Sequence, residues 1–215
     1  MRVDVWSDVV CPWCYIGFVR LNNVLDRQQD DFDVYYHSFQ LDKEAENSGK
    51  LAVQHLAEKF GIHVDDAKGM MLQVSEVARG VGLEYQLEKT IHGTTRLTHR
   101  LLHLAATLGV QKDLLTLLFR SYFEEALPIF TAEQLQPLAL SVGISDLQFR
   151  SLLETDIYED IVAFDLQLAD QLQIQGVPFF VFNQSVAVAG AEAEEVFEAA
   201  IAKARESEDL ETPME

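Results

Sequence analysis

The sequence predicts an α/β fold in which a βαβ unit opens the chain, a ββα unit closes it, and a large all-helical insertion lies between them. Three observations predict it. The alternating, β-branched and aromatic run Val3-Asp4-Val5-Trp6 leads into a helical pattern and then into a second strand-like run, Asp33 to Phe39. From Asp42 to residue 156 the apolar positions recur at three and four residues, the period of helices. A strand, a turn and a strand then lie between Val177 and Ala189, with a helical pattern after them. The expected division is 1–41 and 157–205 for the two halves of the α/β domain, 42–156 for the insertion, and a disordered acidic tail at 206–215. Taken together the halves make a thioredoxin-like fold.

Each element has a local reason. Pro12 suits the first turn of a helix, where its missing N–H costs nothing, and Ile16, Val19, Leu21 and Val24-Leu25 carry that helix to about Gln28. With the strand before it and the strand after it, this is a βαβ unit with parallel strands. His37 falls inside the second strand and reads as a buried, hydrogen-bonded histidine rather than an active-site neighbour. In the insertion, Leu51 to Phe60 form a helix stopped by Gly61, and Asp65-Asp66 mark the positive end of the next.

A helix from about Thr94 to Leu108 has Leu97, Leu101, Leu104 and Leu108 on one stripe and Arg96, His99, Arg100 and His103 opposite, which by default is a solvated face. His99 and His103 at i and i+4 could also hold a metal, but no further ligand group accompanies them, and no metal is expected. Thr131 with Gln134 and Ser145 with Gln148 have capping-box spacing. Ile157, Ile161, Phe164, Leu168 and Leu172 trace a long amphipathic helix ending near Gly176.

Both cysteines of the chain lie in Cys11-Pro12-Trp13-Cys14, directly after the first strand and at the start of the first helix. A helix N-terminus offers unpaired N–H groups and partial positive charge, which favour a thiolate at Cys11. Cys14, one turn on and on the same face, is placed to close a disulfide or to resolve a mixed one. Half of a zinc site is the competing reading, but a structural zinc needs four ligands and the chain has no third cysteine.

Sixteen basic and 35 acidic residues give a net charge of −19, which argues against nucleic acid or an anionic membrane as partner. No apolar run reaches the length of a membrane span, and Met1-Arg2-Val3-Asp4 enters a strand at once, so a secretory signal is not expected and the cytoplasm is. There a cysteine pair is more often catalytic than structural.

The run from Asp4 to Gly17, with Cys11-Pro12-Trp13-Cys14 inside it, resembles the opening of the FrnE-type branch of the DsbA-like thiol-disulfide oxidoreductases. His37-Ser38-Phe39-Gln40-Leu41-Asp42, Thr98-His99-Arg100-Leu101 and Gly176-Val177-Pro178-Phe179-Phe180-Val181 resemble later blocks of that family. The resemblance implies disulfide exchange at Cys11 and Cys14, with Pro12 and Trp13 setting helix entry and redox poise. It implies a cis Pro178 facing the cysteines, and Val177 offering its backbone to an extended substrate. It also places the helix of His99 and Arg100 over the redox centre, making both candidates for redox tuning or substrate contact.

The expected partners are protein or small-molecule thiols and disulfides; no cofactor is required, with glutathione the candidate redox co-substrate, and the sequence sets no oligomeric state. Two alternatives compete. A kappa-class glutathione transferase or isomerase shares the scaffold but typically has Ser at the first redox position, where this chain has Cys11. A holdase chaperone using the helical cleft would act without either thiol. Gly190-Ala191-Glu192 departs from the serine-glycine-alanine-glutamine run of relatives, which bears on substrate preference.

Overall fold

A computed structural model describes residues 1–29 and 31–211. The chain divides into two compact units, one of residues 1–39 with the chain from 167 onward, the other of 40–166. The second dividing point falls inside a helix.

The first unit is built on a four-stranded sheet in the order β2-β1-β3-β4. Strand β1 (Arg2–Ser7) is central, paired in parallel with β2 (Asp33–Ser38) and antiparallel with β3 (Phe179–Phe182), which turns into β4 (Val186–Ala189). Asn183 and Gln184 in that turn both have positive φ, 45° and 56°, as tight hairpin turns require. Period-two alternation sorts the side chains by face. On one face Val3 and Val5 lie opposite Phe182 and Phe180, all buried. Helices α1 (Pro12–Leu25) and α9 (Glu194–Glu211) cover this face: Gly17 of α1 meets Phe180, and Phe197 of α9 packs edge-on to Phe180 with ring centres 4.8 Å apart. Burying each such phenylalanine contributes about 1.5–3 kcal/mol. On the other face Trp6 packs with Ala169 and Ile174, flanked by Phe39, Phe179 and Val181.

Helix α9 continues through Glu211, beyond Arg205, where the acidic composition suggested that order ends. The last positions of that tail, 212–215, lie outside the described residues.

The second unit is helical among its described residues. It comprises α2 (Ala52–Phe60), α3 (Val64–Arg79), α4 (Arg96–Thr107), α5 (Gln111–Phe119) running on as a π-helical turn (Arg120–Glu124), α6 (Ala132–Ser141) and α7 (Asp146–Glu154), and most of α8 (Glu159–Gln171). Its core holds Leu101, Leu114, Leu118, Phe119, Phe123, Leu135 and Phe149, all fully buried or nearly so. Both capping boxes form, at Thr131/Gln134 and Ser145/Gln148.

Two expectations are corrected here. Helix α4 has no solvated basic face: Thr98 through Ala105 are all buried, and His99, Arg100 and His103 with them. Burial is tolerated because the polar groups have partners, His103 Nε2 with Asp165 at 3.1 Å and Arg100 with a ring of acceptors described below. Helix α8 is oriented otherwise than its large apolar residues suggested. Ile157, Ile161, Phe164 and Leu172 are exposed, while Val162, Asp165 and Ala169 are buried. The buried side is marked by small residues and by the carboxylate that answers His103, a pattern that hydrophobicity alone does not reveal. No helix among the described residues is long and apolar enough to cross a membrane.

Candidate redox site

Strand β1 ends at Ser7, and four residues later Cys11 caps helix α1 in an extended conformation (φ −88°, ψ 113°), with Pro12 in the first turn. The Cys11 N–H donates to the Asp8 carbonyl, and the Cys14 N–H to the Cys11 carbonyl, both at 3.0 Å, so backbone bonds fix the turn carrying the thiols. Both cysteines are free and buried. Trp13, between them, is 39% exposed and is the outward-facing member of the motif.

The thiols are not equivalent. Burial pushes the Cys14 thiol well above its ordinary range, and hydrogen bonding to Cys11 and the charge of Cys11 push it the same way. Hydrogen bonds with the Ser7 side chain and the Asp8 backbone pull it down without reversing the shift. Cys14 is therefore held as a protonated thiol at neutral pH.

Opposite Cys11 lies the start of β3. The Cys11 thiol donates to the Val177 carbonyl, Sγ to O 3.4 Å, and the Val177–Pro178 peptide bond is cis. The Pro178 carbonyl accepts from the Gly190 N–H at 2.8 Å, and Arg20 of α1 donates to the Ala191 carbonyl at 2.6 Å, tying this corner to α1 and β4. Gly17 makes the approach possible: a Cβ there would stand 2.9 Å from Pro178 Cγ and 3.0 Å from the Phe180 ring. Ser7, Asp8 and Gly17 are site residues that sequence reasoning did not single out.

Behind the site, on the Trp6 face of the sheet, is a charged network. Asp4 is buried; its carboxylate accepts from Arg2 at 2.6 and 2.7 Å and is 2.7 Å from His37 Nε2, and the His37 ring stacks on Trp6 at 4.5 Å. Burial alone would raise the Asp4 carboxyl, but the hydrogen bonds from His37 and Arg2 outweigh it and hold it below the usual carboxylate range. His37 is thus hydrogen-bonded in the strand, as its position suggested, though only partly buried there.

Cys11, Pro12, Trp13, Cys14, Val177 and Pro178 belong to one compact unit, and His99 and Arg100 to the other. Within that helical unit Arg100 is a clamp. Its guanidinium donates to the carbonyls of Leu152 at 2.6 Å, of Ile157 at 3.1 Å, and of Thr155, and its Nε lies 3.4 Å from Glu159. These bonds join α4 to the end of α7 and the start of α8.

Known proteins share this fold. The family model for the DSBA-like thioredoxin domain matches residues 2–202. YwbO of Bacillus subtilis (strain 168) is 26% identical over 214 residues, 94% of this chain and 96% of that one. The crystal structure of the "probable DsbA oxidoreductase SCO1869" from Streptomyces coelicolor superposes with a TM-score of 0.91 at 34% identity, covering 100% of this chain and 93% of that one. A structure of 2-hydroxychromene-2-carboxylate isomerase shares the fold at 13% identity, with a TM-score of 0.74 over 99% of this chain and 100% of that one. With a strand, C-x-x-C and helix facing a proline-started strand, and a family match over nearly its whole length, the chain belongs to the DsbA-like thioredoxin family.

Proposed function

We propose that this protein is a thiol-disulfide oxidoreductase of the FrnE type that exchanges disulfides through Cys11 and Cys14. The observation that carries the reading is the inequality of the two thiols. Cys11 sits at the helix mouth beside the Val177 carbonyl, while Cys14 is held protonated behind it. In the reducing direction the Cys11 thiolate attacks one sulfur of a substrate disulfide. The substrate S–S bond breaks, one substrate thiolate leaves, and a mixed disulfide forms. Cys14 then loses its proton and attacks Cys11 Sγ, releasing the second substrate thiolate. Two electrons have passed to the substrate, and Cys11 and Cys14 are joined. Oxidation of a substrate dithiol is the same sequence reversed. Trp13 offers an exposed apolar surface beside the reacting sulfur, and the Val177 backbone is a point where an extended peptide could add as a strand.

Cys11→Ser is expected to abolish turnover of a dithiol substrate; undiminished turnover would falsify the assignment. The equilibrium potential of the pair, titrated against a glutathione buffer, gives the direction. A value near the thioredoxin end, about −270 mV, marks a reductant, and one near the DsbA end, about −120 mV, an oxidant.

A further inference from the structure

Away from the cysteines, in the helical unit, three ligand-type side chains converge. Asp42 leads into that unit, His55 lies one turn inside α2, and His92 precedes α4. Backbone bonds fix them together. Leu51 and Ile91 form a β-bridge, the His92 N–H donates to the Lys50 carbonyl at 2.7 Å, and the Ala52 N–H donates to the Thr90 carbonyl at 2.9 Å. This bridge sets the His55 and His92 rings face to face, with centres 3.5 Å apart and planes within 5°. Asp42 Oδ2 lies 3.1 Å from His92 Nε2 and 3.5 Å from His55 Nε2, and one donor atom from each of the three residues falls within 4.8 Å of the others.

We propose that Asp42, His55 and His92 form a binding site for a divalent first-row transition ion, of which zinc fits best. Tetrahedral zinc with bonds of about 2.0–2.2 Å holds its ligand atoms about 3.3–3.6 Å apart. Of the two carboxylate-to-imidazole separations, 3.5 Å falls within that spacing and 3.1 Å just short of it, and because the stacked rings lie in parallel planes, one imidazole must turn for both ring nitrogens to face the ion. Two imidazoles and a carboxylate are also the borderline nitrogen and oxygen donors that such ions prefer over magnesium or calcium.

The site opens, on the side of Asp42 and His55, into a depression of about 530 Å³ lined also by Leu41, Lys43, Glu58 and Lys59. The nearby ammonium groups are engaged: Lys50 with the Glu58 carboxylate, and Lys59 with the Leu41 carbonyl at 3.1 Å. A bound ion would join the segment entering the helical unit, α2 and the strand-like segment before α4.

The test uses the full chain with Cys11 and Cys14 oxidised to a disulfide, so that neither thiol can take the ion. Calorimetric titration with zinc is expected to show one ion per chain and an affinity falling at least tenfold in His55→Gln and in His92→Gln. Because either variant could misfold, imidazole NMR of the unsubstituted protein is the second measurement. Zinc should shift the ring signals of His55 and His92 and leave those of His63 and His103 unmoved. The proposal is overturned if the oxidised protein takes up no zinc, if the variants bind as well as the parent, or if the ring signals of His55 and His92 do not respond. Neither measurement depends on the redox reading, whose failure would appear in turnover instead.

Discussion

Asp4 shows how a single buried residue imposes a pH dependence. Its carboxyl has a lower pKa folded than unfolded, so it stabilises the native state above the unfolded value, about 4, and that contribution disappears as pH falls through the folded value. Urea unfolding from pH 7 to pH 2 should therefore show an acid decline that Asp4→Asn makes shallower. At neutral pH the same substitution should cost about 1–3 kcal/mol, because Arg2 and His37 lose a charged acceptor. A variant curve parallel to the parent's would remove Asp4 from the acid response.

The residues that were legible are those whose chemistry is local. Cys11 and Cys14 announce themselves by spacing, and Pro12 by the turn it starts. Gly17 was opaque because its contribution is an absent Cβ opposite a proline 161 positions later. Ser7 and Asp8 act on Cys14 through hydrogen bonds that no spacing rule encodes. Asp42, His55 and His92 lie far apart in sequence and form no compact ligand motif.

Among the elements, α4 is where pattern and structure diverge most. A stripe of leucines opposite a stripe of basic residues is the signature of an amphipathic surface helix, yet this helix is buried on both sides. The pattern could not reveal it because burial depends on partners from other helices: the carbonyls of Leu152, Thr155 and Ile157 for Arg100, and Asp165 for His103. Removing the guanidinium leaves those carbonyls without their donor, so Arg100→Ala should cost about 3–5 kcal/mol. Arg100→Lys should recover only part of this, because a point charge cannot fill a forked set of acceptors. Chemical denaturation measures both. If Arg100→Ala instead leaves stability unchanged while raising KM, Arg100 belongs to substrate contact and the clamp is incidental. The capping boxes of α6 and α7, by contrast, were readable because each closes within four residues.

For the whole molecule, net charge is the dominant long-range quantity. At −19 the folded chain repels itself, and compaction worsens the repulsion. Raising sodium chloride from roughly 0.01 M to 1 M shortens the screening length from about 30 Å to about 3 Å. This should raise Tm even though it weakens surface pairs such as Arg27 with Glu194 and Glu198. Calorimetry across that range checks it, and a Tm that falls with salt would mean that local pairs outweigh net repulsion. The overall α/β plan was legible because each strand and helix carries its own period. The meeting of the two ends of the chain in one sheet was legible from the βαβ and ββα halves read together and from the family resemblance, although no local signal pairs β1 with β3.

That pairing has a consequence for biosynthesis. The central strand and both thiols leave the ribosome before the helical unit, while β3, which supplies the second neighbour of β1 and follows the Val177 carbonyl, emerges only after it. Throughout that interval the nascent chain carries a C-x-x-C whose sheet lacks half its strands, and its thiols are open to whatever oxidant or electrophile the compartment holds. The reactive centre should thus be most open to modification while the chain is still being translated, until β3 completes the sheet beside it.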